Sequence, residues 1–315
     1  MYTSYFGLKE NPFNLTPDPK YLFLGPQHRE ALNHLIYGIN EKKGFIVITG
    51  GIGTGKTTIC RTLLSALDQS IASALIFNSF ISDNELLQTI NQEFGITLSG
   101  EGETKKRYID ALNEFLLKNF ASGRNAVILI DEAQNLSLSV MEQIRMLSNL
   151  ETEREKLLQI VLIGQPELQE LLTLTSLKQL NERITVRHDL KPLNQEQVQN
   201  YVEHRLTVAG GNNEHLNFSH GAYKVIYDYS KGIPRRINAI CDRALLIAYS
   251  RDTSGIDKKT IKDAVGDIGG NYLTPDEGKR RWLLFSLILL LFGILAVGGM
   301  IYRDEIFKFL SALIF

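Results

Sequence analysis

Five short runs of apolar, largely β-branched residues punctuate the first two thirds of the chain: GFIVITG (44–50), SALIF (73–77), AVILI (126–130), QIVLIG (159–164) and RITVRHDL (183–190). Each is too short for a buried helix, and glycine, serine or charge bounds most of them, so they predict buried strands. Between them the apolar positions recur at helical spacing. Residues 27–40 carry Leu32, Leu35, Ile36 and Ile39 on one face, and NELLQTINQEF (84–94), KRYIDALNEFLLKNF (106–120) and VMEQIRMLSNL (140–150) repeat the pattern. Buried strands alternating with helices predict an α/β fold, a doubly wound parallel sheet with helices on both faces.

The pattern changes after residue 190. Residues 194–266 show helical periodicity only, broken at AGGNN (209–213) and SKGIP (230–234), as expected of a small all-α lid domain. DIGGNYLTPDEGK is polar with Gly and Pro and reads as a linker. It is followed by LLFSLILLLFGILAVGGMIY (283–302), an uncharged stretch of bilayer-spanning length. The expected organisation is therefore a Pro-rich N-terminal segment and first helix (1–43), a core (44–190), a lid (191–268), a linker (269–281), a transmembrane helix (282–302) and a short tail (303–315). Lys279, Arg280 and Arg281 precede the apolar run, which favours a cytoplasmic core and a C-terminus on the far side of the membrane. The N-terminus shows no basic region followed by an apolar core, so no signal peptide is expected.

Composition narrows the chemistry. With 34 Lys and Arg against 35 Asp and Glu, the net charge of -1 gives no electrostatic footprint for nucleic acid. The two cysteines, Cys60 and Cys241, lie far apart with no metal-ligand spacing, so two reduced thiols are expected. The six histidines show no H-x-x-x-H spacing and are expected mainly at the surface or at caps.

The strongest motif is Gly50-Gly51-Ile52-Gly53-Thr54-Gly55-Lys56-Thr57, which closes the first strand and opens the helix TTICRTLLSAL. Glycines let backbone N–H groups approach phosphate oxygens, and the helix N-terminus faces the same anion. Lys56 is expected on the β- and γ-phosphates, Thr57 on Mg²⁺, and Thr58 beside them in the first helical turn. Asp131 and Glu132 end the strand VILI, at the sheet edge where ligands bind in such folds. Asp131 is expected to complete the Mg²⁺ shell and Glu132 to orient or deprotonate the attacking water, although an acidic pair there can also cap the next helix. Gln165 ends QIVLIG, placed for the γ-phosphate or the water. Arg235 or Arg236, opening a lid helix after Gly232-Ile233-Pro234, is expected to swing onto the phosphates, with Arg235 preferred. Arg183 or Arg187, flanking the last core strand, is expected to reach a neighbour's nucleotide, with Arg183 preferred.

Taken together, the Walker A residues 50–57, Walker B residues 127–132, Gln165, Arg183 and Arg235 resemble an AAA+ ATPase. That resemblance implies a sheet of order 5-1-4-3-2, ATP and Mg²⁺ as cofactors, and a homo-oligomeric ring or partial ring. More narrowly, YFGLKENPFNLTPDPKYLFLGPQHREALNHLIYGI, ILIDEAQNL, GQPEL and GIPRRIN resemble the general secretion pathway protein A (ExeA-type) family, with relatives in mannose-sensitive haemagglutinin pilus biogenesis and polysaccharide export. It implies a bacterial inner-membrane ATPase that assembles or positions an envelope machine with a partner subunit. Family members carry a peptidoglycan-binding domain after their membrane helix. Here only RDEIFKFLSALIF follows, so direct peptidoglycan binding is not expected. The competing reading is a DNA-associated ATPase resembling TniB-type transposition regulators, since DEAQ occurs there as well.

Overall fold

The computed structural model describes residues 1–77, 80–98, 104–153, 155–211 and 216–269. The chain divides into Met1–Ala264 and Val265–Phe315, and the elements below belong to the first unit, except that the last helix runs on into the second. Its sheet contains β1 (Phe45–Gly50), β2 (Ile71–Ile76), β3 (Asn125–Ile130), β4 (Gln159–Gly164) and β5 (Ile184–Leu190), all parallel, in the order β2-β3-β4-β1-β5. Read from the other edge, this is the expected 5-1-4-3-2.

Strand residues point alternately to the two faces, and each face has its own core. Phe45, Val47, Ile128, Ile130, Ile160 and Leu162 face one way and meet Leu86, Leu87, Ile90, Leu112, Leu116 and Ile144. Ile46, Ile48, Val127, Leu129, Val161 and Ile163 face the other and meet Leu35, Ile39, Ile59 and Leu63. Because the three central strands are buried on both faces, their sequences are continuous apolar runs. Each buried Leu or Ile contributes roughly 1.5–3 kcal/mol. β5 is an edge strand, and its exposed Thr185, Arg187 and Asp189 alternate with less exposed neighbours.

The helices over the faces are α1 (Pro26–Asn40), α2 (Lys56–Ala66), α3 (Asp83–Glu93), α4 (Lys105–Ala121) and α5 (Leu138–Leu147). Ser82 and Glu85 form a capping box at the start of α3. The stretch from β4 to β5 also holds the short helices Glu167–Leu172 and Lys178–Glu182, which are too brief for a periodicity signal.

The lid consists of α6 (Gln195–Val208), α7 (His220–Ser230), α8 (Pro234–Ser250) and a last helix, Lys258–Asp267. It is not wholly helical: Asn217–Phe218 pairs in parallel with Gly255–Ile256. Two residues per strand leave no readable alternation. Cys60 on α2 and Cys241 on α8 are both free and buried. Burial pushes the Cys60 thiol up to about 12 and raises that of Cys241 as well.

The N-terminal segment is not a loose lead-in. Phe6, Leu8, Phe13 and Tyr21 are buried. The Lys9 amide donates to Ala209 O at 2.8 Å, and the Tyr2 hydroxyl donates to Asp242 of α8.

The expectation of a membrane-spanning helix, and with it of a single-pass inner-membrane protein, is corrected by the structure. Among the described residues no helix is long and apolar enough to cross a membrane. The longest, α4 and α8, have 17 residues each, and both carry charges such as Arg107, Asp110, Arg235 and Arg243. A span takes about 20 apolar residues. The segments 282–302 and 303–315 lie outside the described residues. The fold is an α/β sheet with a helical lid.

Candidate functional site

The site forms where β1, β3 and β4 end. Gly50 closes β1 so tightly that a Cβ there would sit 2.9 Å from both Cβ and O of Leu190. Gly53 (φ +78°) and Gly55 (φ +104°) turn the loop through conformations that side chains resist. Lys56 opens α2, is buried, and folds back to donate to Gly50 O at 2.8 Å and Gly51 O at 3.1 Å. Burial lowers its pKa, and the nearby carboxylates Glu132, Asp131 and Glu167 oppose that shift.

Thr57 Oγ1 donates to Asp131 Oδ2 at 2.9 Å, joining the loop helix to the end of β3. Burial raises the Asp131 pKa, and the bonds from Thr57 and the Glu132 amide partly offset it. Glu132 stands at φ +52°, a left-handed conformation unusual for this residue. Its Oε2 accepts from Gln134 Nε2 at 2.6 Å and from Gln165 Nε2 at 3.1 Å, and the Gln165 amide donates to Gln134 Oε1 at 2.9 Å. Burial pushes the Glu132 pKa up, but the two amides and the Lys56 charge together outweigh it and hold the carboxylate low.

A cavity of about 340 Å³ opens over these groups, large enough for a small-molecule ligand. Residues 52–58, Glu132, Gln165 and Arg235 line it. Arg235, rather than Arg236, faces the cavity. Its amide donates to Gly53 O at 3.3 Å, and a Cβ on Gly53 would lie 2.7 Å from Arg235 Cβ. The lid thus rests directly on the loop. Arg183 and Arg187 do not line the cavity. Arg183 donates to Ser148 Oγ and Asn149 Oδ1 at 2.6 Å each, and Arg187 donates to Asn181 O at 3.1 Å.

Three parts of the site escape sequence reasoning. Gln134 belongs to the DEAQ run, and its position two residues after Glu132 was the available signal. His28, from the first turn of α1, is buried against the loop with Nε2 at 3.0 Å from Thr54 O, not at the surface. The far wall comes from the N-terminal segment and the lid. There Arg205 donates to Pro12 O and, at 2.9 Å, to the Tyr201 hydroxyl, its guanidinium lying 4.6 Å from the Tyr21 ring centre. Tyr201 in turn donates to Asn238 Oδ1 at 2.8 Å. No local motif announces these partners.

A phosphate loop ending one central strand, an acidic pair ending the next but one in space, and a helical lid over both define a P-loop nucleotide-binding module. Residues 39–172 match the family of AAA domains, and the chain belongs to the AAA+ ATPase family. In particular, it is 42% identical over 299 residues to general secretion pathway protein A of Aeromonas hydrophila, covering 95% of this chain and 53% of that protein. The chain thus spans about half of that relative's length. The fold is also that of Cdc6p from Pyrobaculum aerophilum (TM-score 0.61, 17% identity, covering 84% of this chain and 70% of that one). It is likewise that of the ORC2 protein of Aeropyrum pernix (TM-score 0.60, 14% identity, 82% and 71%).

The AAA+ fold goes with nucleotide binding and a divalent cation, and the residues present fit both groups. The buried Lys56 ammonium rests on loop carbonyls, leaving positive charge for an anion. The paired Thr57 hydroxyl and Asp131 carboxylate supply the oxygen donors that a hard cation takes.

Proposed function

We propose that the chain binds Mg-ATP in this cavity and hydrolyses it, and that the cycle drives assembly or positioning of a secretion-related envelope machine. The observation that carries the reading is the 2.9 Å bond between Thr57 and Asp131, made beside the buried Lys56 and the held Glu132. The backbone N–H groups of 51–57 cradle the phosphates, and Lys56 matches the β- and γ-phosphate charge. Thr57 and Asp131 would hold Mg²⁺, which when bound neutralises charge building on the phosphoryl oxygens. Both amides converge on Glu132 Oε2, so Oε1 is the oxygen offered to an attacking water, and it takes that water's proton. Gln165 fixes Glu132 and so relays γ-phosphate state to the base. Arg235, seated on the loop, couples the phosphates to the lid angle.

The wider role rests on the 42% identity to a general secretion pathway protein, over the half of that protein which this chain spans. Chains assemble into a ring or partial ring in which Arg183 leaves Ser148 and Asn149 for the neighbour's γ-phosphate. A partner subunit of the envelope assembly receives the resulting motion. Pilus biogenesis and polysaccharide export are the alternative settings for the proposed machine.

The test is ATP binding and turnover in three chains, with capture of partners. Lys56→Ala should lose about a hundredfold or more in ATP affinity. Glu132→Gln should bind normally, turn over about 10²–10³-fold more slowly, and bring secretion, pilus or export components with it on purification. Normal turnover by Glu132→Gln would remove the base assignment. Recovery of DNA and recombination proteins instead would remove the secretion role.

A further inference from the structure

We infer that His28 is a positioning residue for the phosphate loop: its Nε2–H holds the Thr54 carbonyl and thereby aims the Gly55 N–H at the phosphates. The inference rests on reading the cavity as an ATP site. Thr54 O can only accept, so the His28 nitrogen at 3.0 Å carries a proton and donates. The other ring nitrogen, Nδ1, is buried without a partner among the described residues, which suits a neutral ring with its proton on Nε2.

The peptide joining Thr54 to Gly55 is planar and trans, so its N–H points opposite to its C=O. With the carbonyl held on the His28 side, the N–H of Gly55 turns to the other side, into the loop that Lys56 and Thr57 share. Were this peptide to flip, a carbonyl oxygen would face the phosphates and one donor would be lost. A glycine at φ +104° has little intrinsic resistance to such a flip. The imidazole supplies that resistance: it is 4% exposed, and a Cβ on Gly55 would lie 3.1 Å from its Nε2, so ring and glycine are fitted to each other. The loop motif therefore extends, in space, to a residue that precedes it by more than twenty positions in sequence.

The full-length chain tests this with fluorescent ATP and ADP titrations, steady-state turnover and thermal melting without nucleotide. His28→Phe keeps a flat ring and removes the donor. His28→Gln keeps a donor, because its amide nitrogen lies as many bonds from Cα as Nε2 does. His28→Phe should weaken ATP and ADP alike by about tenfold and leave kcat at saturating ATP within about twofold. His28→Gln should restore most of the lost affinity. If both variants bind ATP as the wild type does, or if His28→Phe lowers the melting temperature while Kd stays fixed, His28 only packs and the inference is overturned. A wild-type chain whose ATP binding is absent, or is unaffected by Lys56→Ala, would overturn the reading of the cavity itself and this inference with it.

Discussion

The two ends of the cavity are built on different plans. At the phosphate end, the loop 50–57 and the run from Asp131 to Gln134 come from two short continuous segments, fixed by the ends of β1 and β3, and Gln165 adds one side chain from the end of β4, the strand between them. At the far end, contacts join residues as distant as Pro12 and Arg205, 193 positions apart. The first end is set by local chain geometry and a rigid sheet. The second exists only while the lid and the N-terminal segment are docked. On the proposed reading, a ligand's phosphates would thus meet a site built from the sheet, whereas its remainder would meet walls assembled from separate segments.

Three substitutions test that contrast. The largest effect is expected at Gly232 (φ +73°), where the turn before α8 packs on the segment joining β5 to α6: Leu193 N donates to Gly232 O at 2.9 Å, and a Cβ would fall 1.8 Å from Leu193 O. Gly232→Ala should cost about 3–4 kcal/mol in urea unfolding. Unchanged stability would mean that the lid is not anchored there. Next, Arg205→Met removes the bonds to Pro12 O and to Tyr201, with an expected loss of about 2 kcal/mol and faster proteolysis between residues 9 and 23. ATP affinity should fall several-fold; intact affinity would show that the phosphate end carries binding alone.

The smallest effect concerns Gln134→Ala. Its amide favours the ionised form of Glu132, so removing it raises the carboxyl pKa. A base works only above its pKa, so the acid limb of the pH–rate profile should move to higher pH, while the rate at neutral pH changes only a few-fold. An unmoved acid limb would mean that Gln165 and Lys56 set the charge state without Gln134.

The same division governs what could be read from sequence. The three central strands were visible because strands buried on both faces must be continuously apolar, and the order of all five followed from the AAA+ resemblance. Gly50 to Thr57 and Asp131 were visible because phosphate and cation chemistry requires those residue types at fixed spacing. Their juxtaposition at 2.9 Å follows from β1 and β3 running parallel on either side of β4 and ending on the same side of the sheet. His28, Tyr201 and Arg205 were not visible, because a buried hydrogen bond to a backbone carbonyl or to a side chain far along the chain constrains geometry and leaves no spacing rule. Arg235 was chosen over Arg236 from sequence and does line the cavity, as a residue in the first turn of α8 seated on Gly53. The stretch 194–266 read as purely helical because two-residue strands are shorter than any period. The apolar run at 283–302 shows the opposite case: its pattern was plain, yet the longest described helices, α4 and α8, earn their apolar faces by packing and carry charge on the other side.

The two enclosed thiols also make the molecule its own chronometer. Cys60 sits under the sheet and Cys241 within the lid, each shielded and protonated near neutrality. A maleimide or disulfide reagent can reach either only when its surroundings open, so the two labelling rates time core and lid separately. Followed through an ATP cycle in one tube, they would tell whether the halves breathe together or in turn.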